Sequence, residues 1–288
     1  GVHSLGIAER ALQLARTHAQ ERHQGRTAAG PNRPIIEHAD VRRMLLTMKA
    51  LTCAARGLVY TTAATLDVAE LAADEATRTA AANRASLLTP IVKAWVSDTG
   101  AEVASLGVQV HGGAGYVDDA EISQIFRDSR IGPIFEGTNY IQAQDLLGRK
   151  IVRDRGAALN ALLDEIDAAA KCLPADEARL ANLRTQLLEG SSNLRDAAGR
   201  IVRASPTDPE LIGSVAHHFL QWLGVLIGGW QWAQYAAAAR TGKRDADSEA
   251  TLSTAAFYAA HILPRMRTHE AIVTGGAGVV SSVAPASI

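Results

Sequence analysis

The strongest constraint in this sequence is its punctuation. Helix-period runs are long, and the residues that would break them are confined to a few places. From residue 37 to about residue 71 there is no Pro and no breaker cluster, and Val41, Leu45, Met48 and Cys53 fall on one side. Residues 4–22 carry Leu5, Ala8, Leu12 and Ala15 at the same spacing. No stretch alternates with the two-residue period of a half-buried strand. Aromatic residues make up only 5% of a chain that is 47% hydrophobic, and Ala is abundant, which favours helices over strands. The expected fold is therefore all-α.

The remaining punctuation sets the expected elements. A polar loop with Gly25, Gly30, Pro31 and Pro34 follows the first helix. A third helix is expected to start near Ser86, with Pro90 tolerated in its first turn, and to run to about Leu106. Residues 109–115 read as a glycine-rich loop, residues 119–130 as a short helix and residues 131–137 as a second irregular stretch. Thr138 is the expected N-cap of a helix reaching Arg149. Further on, Leu159, Leu162, Leu163 and Ile166 make one apolar stripe, ended by residues 168–174, and Leu180, Leu183 and Leu187 make another. Residues 205–209 contain Pro206 and Pro209 and form a break. Residues 211–239 and 251–263 are the last two expected helices, before an irregular tail over residues 275–288. The organisation predicted is a bundle of long helices over residues 1–152 and a helical extension over residues 153–288.

Several function classes are disfavoured by charge and composition. The formal net charge is −1, so no overall field recruits nucleic acid or an anionic membrane surface. Arg149, Lys150, Arg153 and Arg155 form a local cationic run, which reads as a solvated face. The most apolar stretch, residues 219–232, is interrupted by Gln221 and Gln231 and is shorter than the ~20 residues a membrane span needs. Cys53 and Cys172 lie far apart and are expected as free thiols in a reducing, cytoplasmic setting of bacterial type. Helical spacing starts at once after Gly1, with no signal-peptide pattern and no capping residue, so the chain reads as a fragment or a processed subunit.

The chemistry concentrates in residues 106–150, where two glycine-rich segments interrupt otherwise long helices. Glycine inside a helix costs about 1 kcal/mol relative to Ala, so such segments usually let a backbone approach something closely. Glu136 stands in the second segment between Phe135 and Gly137. A carboxylate among apolar neighbours is a stronger base, because its charged form is disfavoured. The same residue, lying before a helix, also fits a dipole partner or cap. His111 reads as a loop histidine in a polar corner, because no Cys or His stands at ligand spacing to it.

Three blocks carry a resemblance. They are Gln109-Val-His111-Gly112-Gly113-Ala-Gly115-Tyr116, Arg127-Asp128-Ser-Arg130-Ile131, and Phe135-Glu136-Gly137-Thr138-Asn-Tyr-Ile141-Gln142. As a set, with this spacing, they are highly specific. Residues 1–152 resemble the C-terminal helical domain of the acyl-CoA dehydrogenase family, a four-helix bundle. The resemblance implies a flavoenzyme holding FAD that desaturates an acyl-CoA thioester. Glu136 would remove the α-proton while the β-hydride passes to the flavin. The backbone N–H of Glu136 and a flavin hydroxyl would polarise the thioester carbonyl, and Gly137 would allow the required turn. Arg22 resembles the arginine that pairs with the flavin pyrophosphate of a neighbouring subunit, a task suited to a planar guanidinium. Gln109, Gly112 and Gly113 resemble the loop that reaches a neighbour's adenosine end. Thr138 resembles a hydroxyl residue near the flavin of its own subunit. A homo-oligomer, dimer or tetramer, with FAD at the subunit interface is implied, as is an electron-transfer flavoprotein as acceptor. No metal is implied.

The sequence also departs from the family pattern. The common motif has Phe-Gly soon after the flavin arginine, where this chain reads Arg22-His-Gln24-Gly25-Arg26. That variant and the additional C-terminal residues resemble a longer branch, which includes 3-methylmercaptopropionyl-CoA dehydrogenase-like and long mycobacterial-type enzymes. Tyr140 stands where that branch more often has a small residue, and fits either a reshaped acyl pocket or a plain helix surface. The family's N-terminal helical domain and middle β-domain are not in this sequence, so the chain alone is expected to hold flavin poorly and to be inactive. Two alternatives stay open: a non-catalytic helical binding module, and one subunit of a split enzyme.

Overall fold

A computed structural model of the chain describes residues 1–28, 30–174, 177–241 and 245–287. Ile288, with which the expected tail ends, lies outside them. The described residues are almost wholly helical, as expected. Helix α1 (Val2–Glu21) buries Leu5, Ala8, Ala11, Ala15 and Ala19 against α3 (Glu75–His111), and α2 (Ala39–Leu71) forms a long hairpin with α3. Small residues along α1 allow this close approach. Asp74 caps α3, accepting a hydrogen bond from the Thr77 N–H at 2.8 Å. A short helix α4 (Glu121–Ser129) lies across α1 and α3, and α5 (Asn139–Gln144) continues into a π-helical segment over Asp145–Val152.

The C-terminal part of the chain comprises α6 (Ala157–Cys172), α7 (Ala178–Ala204), α8 (Leu211–Thr241), α9 (Ala246–His261), α10 (Met266–Gly275) and the single turn α11 (Gly278–Ser281). Its apolar stripes are buried as expected, Leu159, Leu162, Leu163 and Ile166 in α6 and Leu180, Leu183 and Leu187 in α7. Helix α8 is central. It buries Phe219, Trp222, Leu223, Leu226 and Ile227, and packs on α2, α3 and α5 on one side and on α6, α7, α9 and α10 on the other. One contiguous buried cluster therefore runs from Leu5 to Val273. Two hydrogen bonds tie α8 to α2: Trp232 Nε1–H donates to the Ala50 carbonyl at 3.0 Å, and the Tyr235 hydroxyl to the Cys53 carbonyl at 3.1 Å. Gly224 permits the crossing with α3. A Cβ there would come within 2.3 Å of the Trp95 ring, well inside van der Waals contact.

Several expectations need correction. Helix α3 starts eleven residues before Ser86, so Pro90 is buried in its interior, not in its first turn. Its ring removes one intrahelical donor; packing of Leu87, Leu88 and Ile91 in the core keeps the helix continuous across it. The same helix runs on to His111, so Gln109 and His111 belong to its last turn and only Gly112–Gly115 form a separate 3₁₀ turn. The loop after α1 holds a small antiparallel pairing of Arg26–Thr27 with Gly30–Pro31, too short for any sequence period to show. Helix α9 starts at Ala246, capped by Asp245, rather than at residue 251, and α10 occupies residues for which no helix was expected. The apolar stretch at residues 219–232 is part of a 31-residue helix, which by length and composition alone suffices to cross a membrane. Two-thirds of its most apolar window, 67%, is buried inside the fold, which is how a central core helix also reads.

Candidate functional site at the two ends of the bundle

The second glycine-rich segment is a tight loop closed at its base. The Asn139 N–H donates to the Pro133 carbonyl at 3.0 Å, and the Ile134 and Phe135 N–H groups both donate to the Ile131 carbonyl. At the apex, Glu136 has φ 56° and Gly137 φ 82°. Two successive left-handed residues are accessible to Gly but costly for Glu, and such strain persists only where the surroundings hold it. Gln142 Nε2 donates to the Glu136 carbonyl at 3.3 Å. Thr138 caps α5 as expected, accepting from the Ile141 N–H at a long 3.4 Å.

The anchor of this loop is a residue the sequence did not single out for a role. Asn139 is buried, 7% exposed. Its Oδ1 accepts from Lys93 Nζ at 2.8 Å and from Ser97 Oγ at 3.1 Å. Its Nδ2 donates to the Ala94 carbonyl at 3.1 Å and to Asp98 Oδ1 at 2.8 Å. Asp98 Oδ2 in turn accepts from Gln221 Nε2 of α8 at 2.5 Å. Burial pushes the Asp98 carboxyl above the ordinary range, opposed by its hydrogen bonds to Asn139 and Gln221 and by the charges of His217 and Arg130. Burial likewise lowers the Lys93 ammonium, opposed by the nearby carboxylates of Asp98 and Glu136. The only sequence signal was an Asn directly after the Glu-Gly-Thr block.

Glu136 itself is solvent-exposed, and so are Phe135 and Thr138. The apolar enclosure expected around the carboxylate is thus not supplied by the described residues of this chain. The physical reason is simple: an apex projecting from a closed loop turns its side chains away from its own bundle.

Arg22, Gln109, Gly112 and Gly113 lie at the opposite end. His18 in the last turn of α1 stacks on His111 in the last turn of α3, with ring centroids 4.3 Å apart, so the C-terminal ends of both helices come together there. Burial, and then the neighbouring His111, lower the His18 imidazole below its ordinary value. His111 Nδ1 lies 2.8 Å from the Gly107 carbonyl. His111 is therefore a helix-end residue, not a loop residue. Arg22, Gln109, Gly112 and Gly113 are all exposed. Among the described residues Arg22 makes no side-chain hydrogen bond or ion pair, while its carbonyl accepts from the Ile35 N–H at 2.7 Å. Gly112 has φ 63°, and a Cβ on Gly112 or Gly113 would meet nothing within 4 Å. The loop with Glu136 sits by the start of α1, where Gly132 packs close to Ser4 Oγ. A 20-residue helix therefore separates the two groups by ~30 Å at 1.5 Å per residue. The structure brings Glu136, Gly137 and Thr138 together, brings Arg22, Gln109, Gly112 and Gly113 to one end, and keeps the two sets apart.

Tyr140 is exposed; its hydroxyl accepts from Gln144 Nε2 at 2.8 Å and lies against Gly213 of α8. In the cationic run, Arg149 pairs with Asp145 at 2.9 Å and Lys150 lies 3.8 Å from the same carboxylate, whose one negative charge the two share.

This arrangement of long helices with a strained Glu-Gly apex defines a class. Residues 1–151 match the family model of the acyl-CoA dehydrogenase C-terminal domain, and residues 162–283 match that of the acetyl-CoA dehydrogenase C-terminal-like domain. The chain belongs to the acyl-CoA dehydrogenase family. It is 37% identical to 3-methylmercaptopropionyl-CoA dehydrogenase of Ruegeria pomeroyi, over 95% of this chain and 48% of that protein. It is 32% identical to the broad-specificity linear acyl-CoA dehydrogenase FadE5 of Mycobacterium tuberculosis, over 92% of this chain and 46% of that protein. The chain thus spans about half the length of these curated relatives. In fold it is similar to an acyl-CoA dehydrogenase of Bacillus anthracis solved with FAD, with TM-score 0.76 at 20% identity over 95% of this chain and 47% of that one. It is also similar to ACDH-11 of Caenorhabditis elegans solved with C11-CoA, with TM-score 0.72 at 21% identity over 90% and 41%.

Proposed function

We propose that this chain is the C-terminal part of an FAD-dependent acyl-CoA dehydrogenase and carries its catalytic base, Glu136. The observation that supports this most directly is the left-handed Glu136 at the apex of a loop fixed by a buried, fully hydrogen-bonded Asn139. A plain helix-dipole partner needs neither the strain nor the anchor. In this reading the Glu136 carboxylate takes the α-proton of an acyl-CoA thioester, and the N–H of Glu136 polarises the thioester carbonyl, which acidifies that proton. Bound FAD supplies the two-electron acceptor. Gly137 gives the backbone the second left-handed turn that the apex requires.

The donor set suits a dinucleotide. Arg22 carries a guanidinium with no partner among the described residues, suited to a pyrophosphate, at the same end as the exposed Gly112-Gly113 backbone and the Gln109 amide. Thr138 lies with Glu136 instead. Two sets ~30 Å apart fit one chain that serves two flavins, its own through Thr138 and a neighbour's through Arg22, Gln109, Gly112 and Gly113. The proposal therefore includes a homo-oligomer, a division into a bundle (1–152) and an extension (153–288), and an electron-transfer flavoprotein as acceptor. It also holds that the chain alone is inactive, since the exposed Glu136 lacks the enclosure that other domains would supply.

The test is Glu136→Gln in the intact, flavin-loaded protein, assayed with a series of acyl-CoA thioesters. Turnover should fall on the order of 10³-fold with flavin content unchanged. Retained turnover would remove Glu136 as the base.

A further inference from the structure

We propose that Asp98 and Gln221 are positioning residues for the Glu136 loop, so that the C-terminal extension helps to hold the base in place. This rests on Glu136 as the base. The geometry is a relay from α8 to the loop. Gln221 Nε2 donates to Asp98 Oδ2 at 2.5 Å, and Asp98 Oδ1 accepts from Asn139 Nδ2 at 2.8 Å. Asn139 then closes the loop through its own N–H to the Pro133 carbonyl at 3.0 Å, with Glu136 at the apex. Each member has a single function in this chain of bonds. Asp98 uses one oxygen for each amide. Asn139 is spanned on its other side by Lys93 and Ser97. Gln221 lies on the helix that also presents Gly213 to Tyr140, one residue beyond Asn139, so α8 meets α5 directly at Tyr140 and reaches Asn139 through Asp98 of α3.

The chemistry explains why the relay needs these residue types. Asn139 presents a donor to Asp98, so the far side of Asp98 must also meet a donor, which Gln221 provides and a carboxylate would not. A buried network of this kind fixes a unique arrangement only when every member is satisfied. Neither Asp98 nor Gln221 is an exposed residue of the apex, so neither is placed to touch a bound thioester.

The experiment reverses the polarity of one bond in the intact, flavin-loaded protein. Gln221→Glu sets two carboxylates against each other, and the pair must share a proton. The charged and titratable groups facing them are Lys93 and Arg130 from the bundle and His217 from α8. We expect kcat to fall about 10- to 100-fold, the scale of a displacement of about 1 Å. The loss should deepen as pH rises and the shared proton leaves, while KM for the acyl-CoA and flavin content stay at wild-type values. Hydrogen exchange of residues 131–142 should quicken. Adding Asp98→Asn to Gln221→Glu restores a donor-acceptor pair and should bring kcat back to within about twofold. If Gln221→Glu does not fold, Gln221→Met replaces it, read by kcat, KM, flavin content and exchange of residues 131–142 alone; wild-type kcat and exchange there would overturn the positioning role. Wild-type kcat and exchange in the single variant, or a loss that the double variant fails to restore, would overturn the positioning role. Glu136→Gln measured alongside separates the two ideas: if that variant keeps its turnover the base assignment fails, whereas its loss beside a silent Gln221→Glu sinks the relay alone.

Discussion

The two ends of the α1–α3 bundle are built on opposite principles. At one end, the loop with Glu136 is over-determined from within the chain: a buried amide with partners on both sides, a closed loop base and a strained apex. At the other, Arg22, Gln109, Gly112 and Gly113 are exposed, and among the described residues the Arg22 guanidinium bonds to no other group. If Glu136 is the base proposed, it must come within hydrogen-bond reach of its proton, so its geometry has to be fixed before substrate arrives. If the other end receives part of another subunit's cofactor, as proposed, it needs free donors instead, since any internal partner would have to be displaced. One end is preorganised and the other is left open.

Substitutions at the two ends should therefore separate cleanly. Glu136→Gln should give the largest effect, the turnover loss described above without loss of stability; a stability change of several kcal/mol would mean that the apex is structural. Asn139→Ala should come next. It removes the amide that Asp98 Oδ1, Ser97 and Lys93 share, a loss of ~1–3 kcal/mol, so Tm and turnover should fall together. An unchanged Tm would show that the loop is held by something other than this network. At the open end, Arg22→Ala should leave Tm within the ±0.5 kcal/mol typical of surface changes, while flavin is lost more readily on dilution or gel filtration. Flavin retention equal to wild type would break the assignment of Arg22. The smallest effect on stability is expected for Gly113→Ala, whose new methyl meets nothing within 4 Å. If this end receives another subunit's cofactor, that silent change should still weaken flavin binding, and equal binding would leave Gly113 as ordinary surface.

A helix such as α2 was legible because its run has no breaker and a clear apolar side, and that information is local. Pro90 was misread for the opposite reason. Its local signal points to a first turn, but core packing of the residues around it outweighs the missing hydrogen bond. The three motif blocks were legible as a set, and the irregular stretch expected around Glu136 is a loop in the structure. They did not reveal Asn139, because its partners Lys93, Ser97 and Asp98 lie more than forty residues away and an Asn after Thr is unremarkable as a string. The apolar neighbours read from sequence do not enclose Glu136, because Phe135 is itself exposed once the loop points outwards.

Local patterns in the chain were enough for the all-helical class, the main helix-forming runs and the place of the motif-bearing loop, because periodicity, caps and glycine placement act over a few residues. Tertiary structure decided how far each helix runs, that α8 packs on the helices before and after it in one core, and that Gln221 reaches Asp98 across 123 positions. Those outcomes depend on which buried surfaces and polar groups meet, and burial and hydrogen bonding are satisfied between elements that no local pattern encodes.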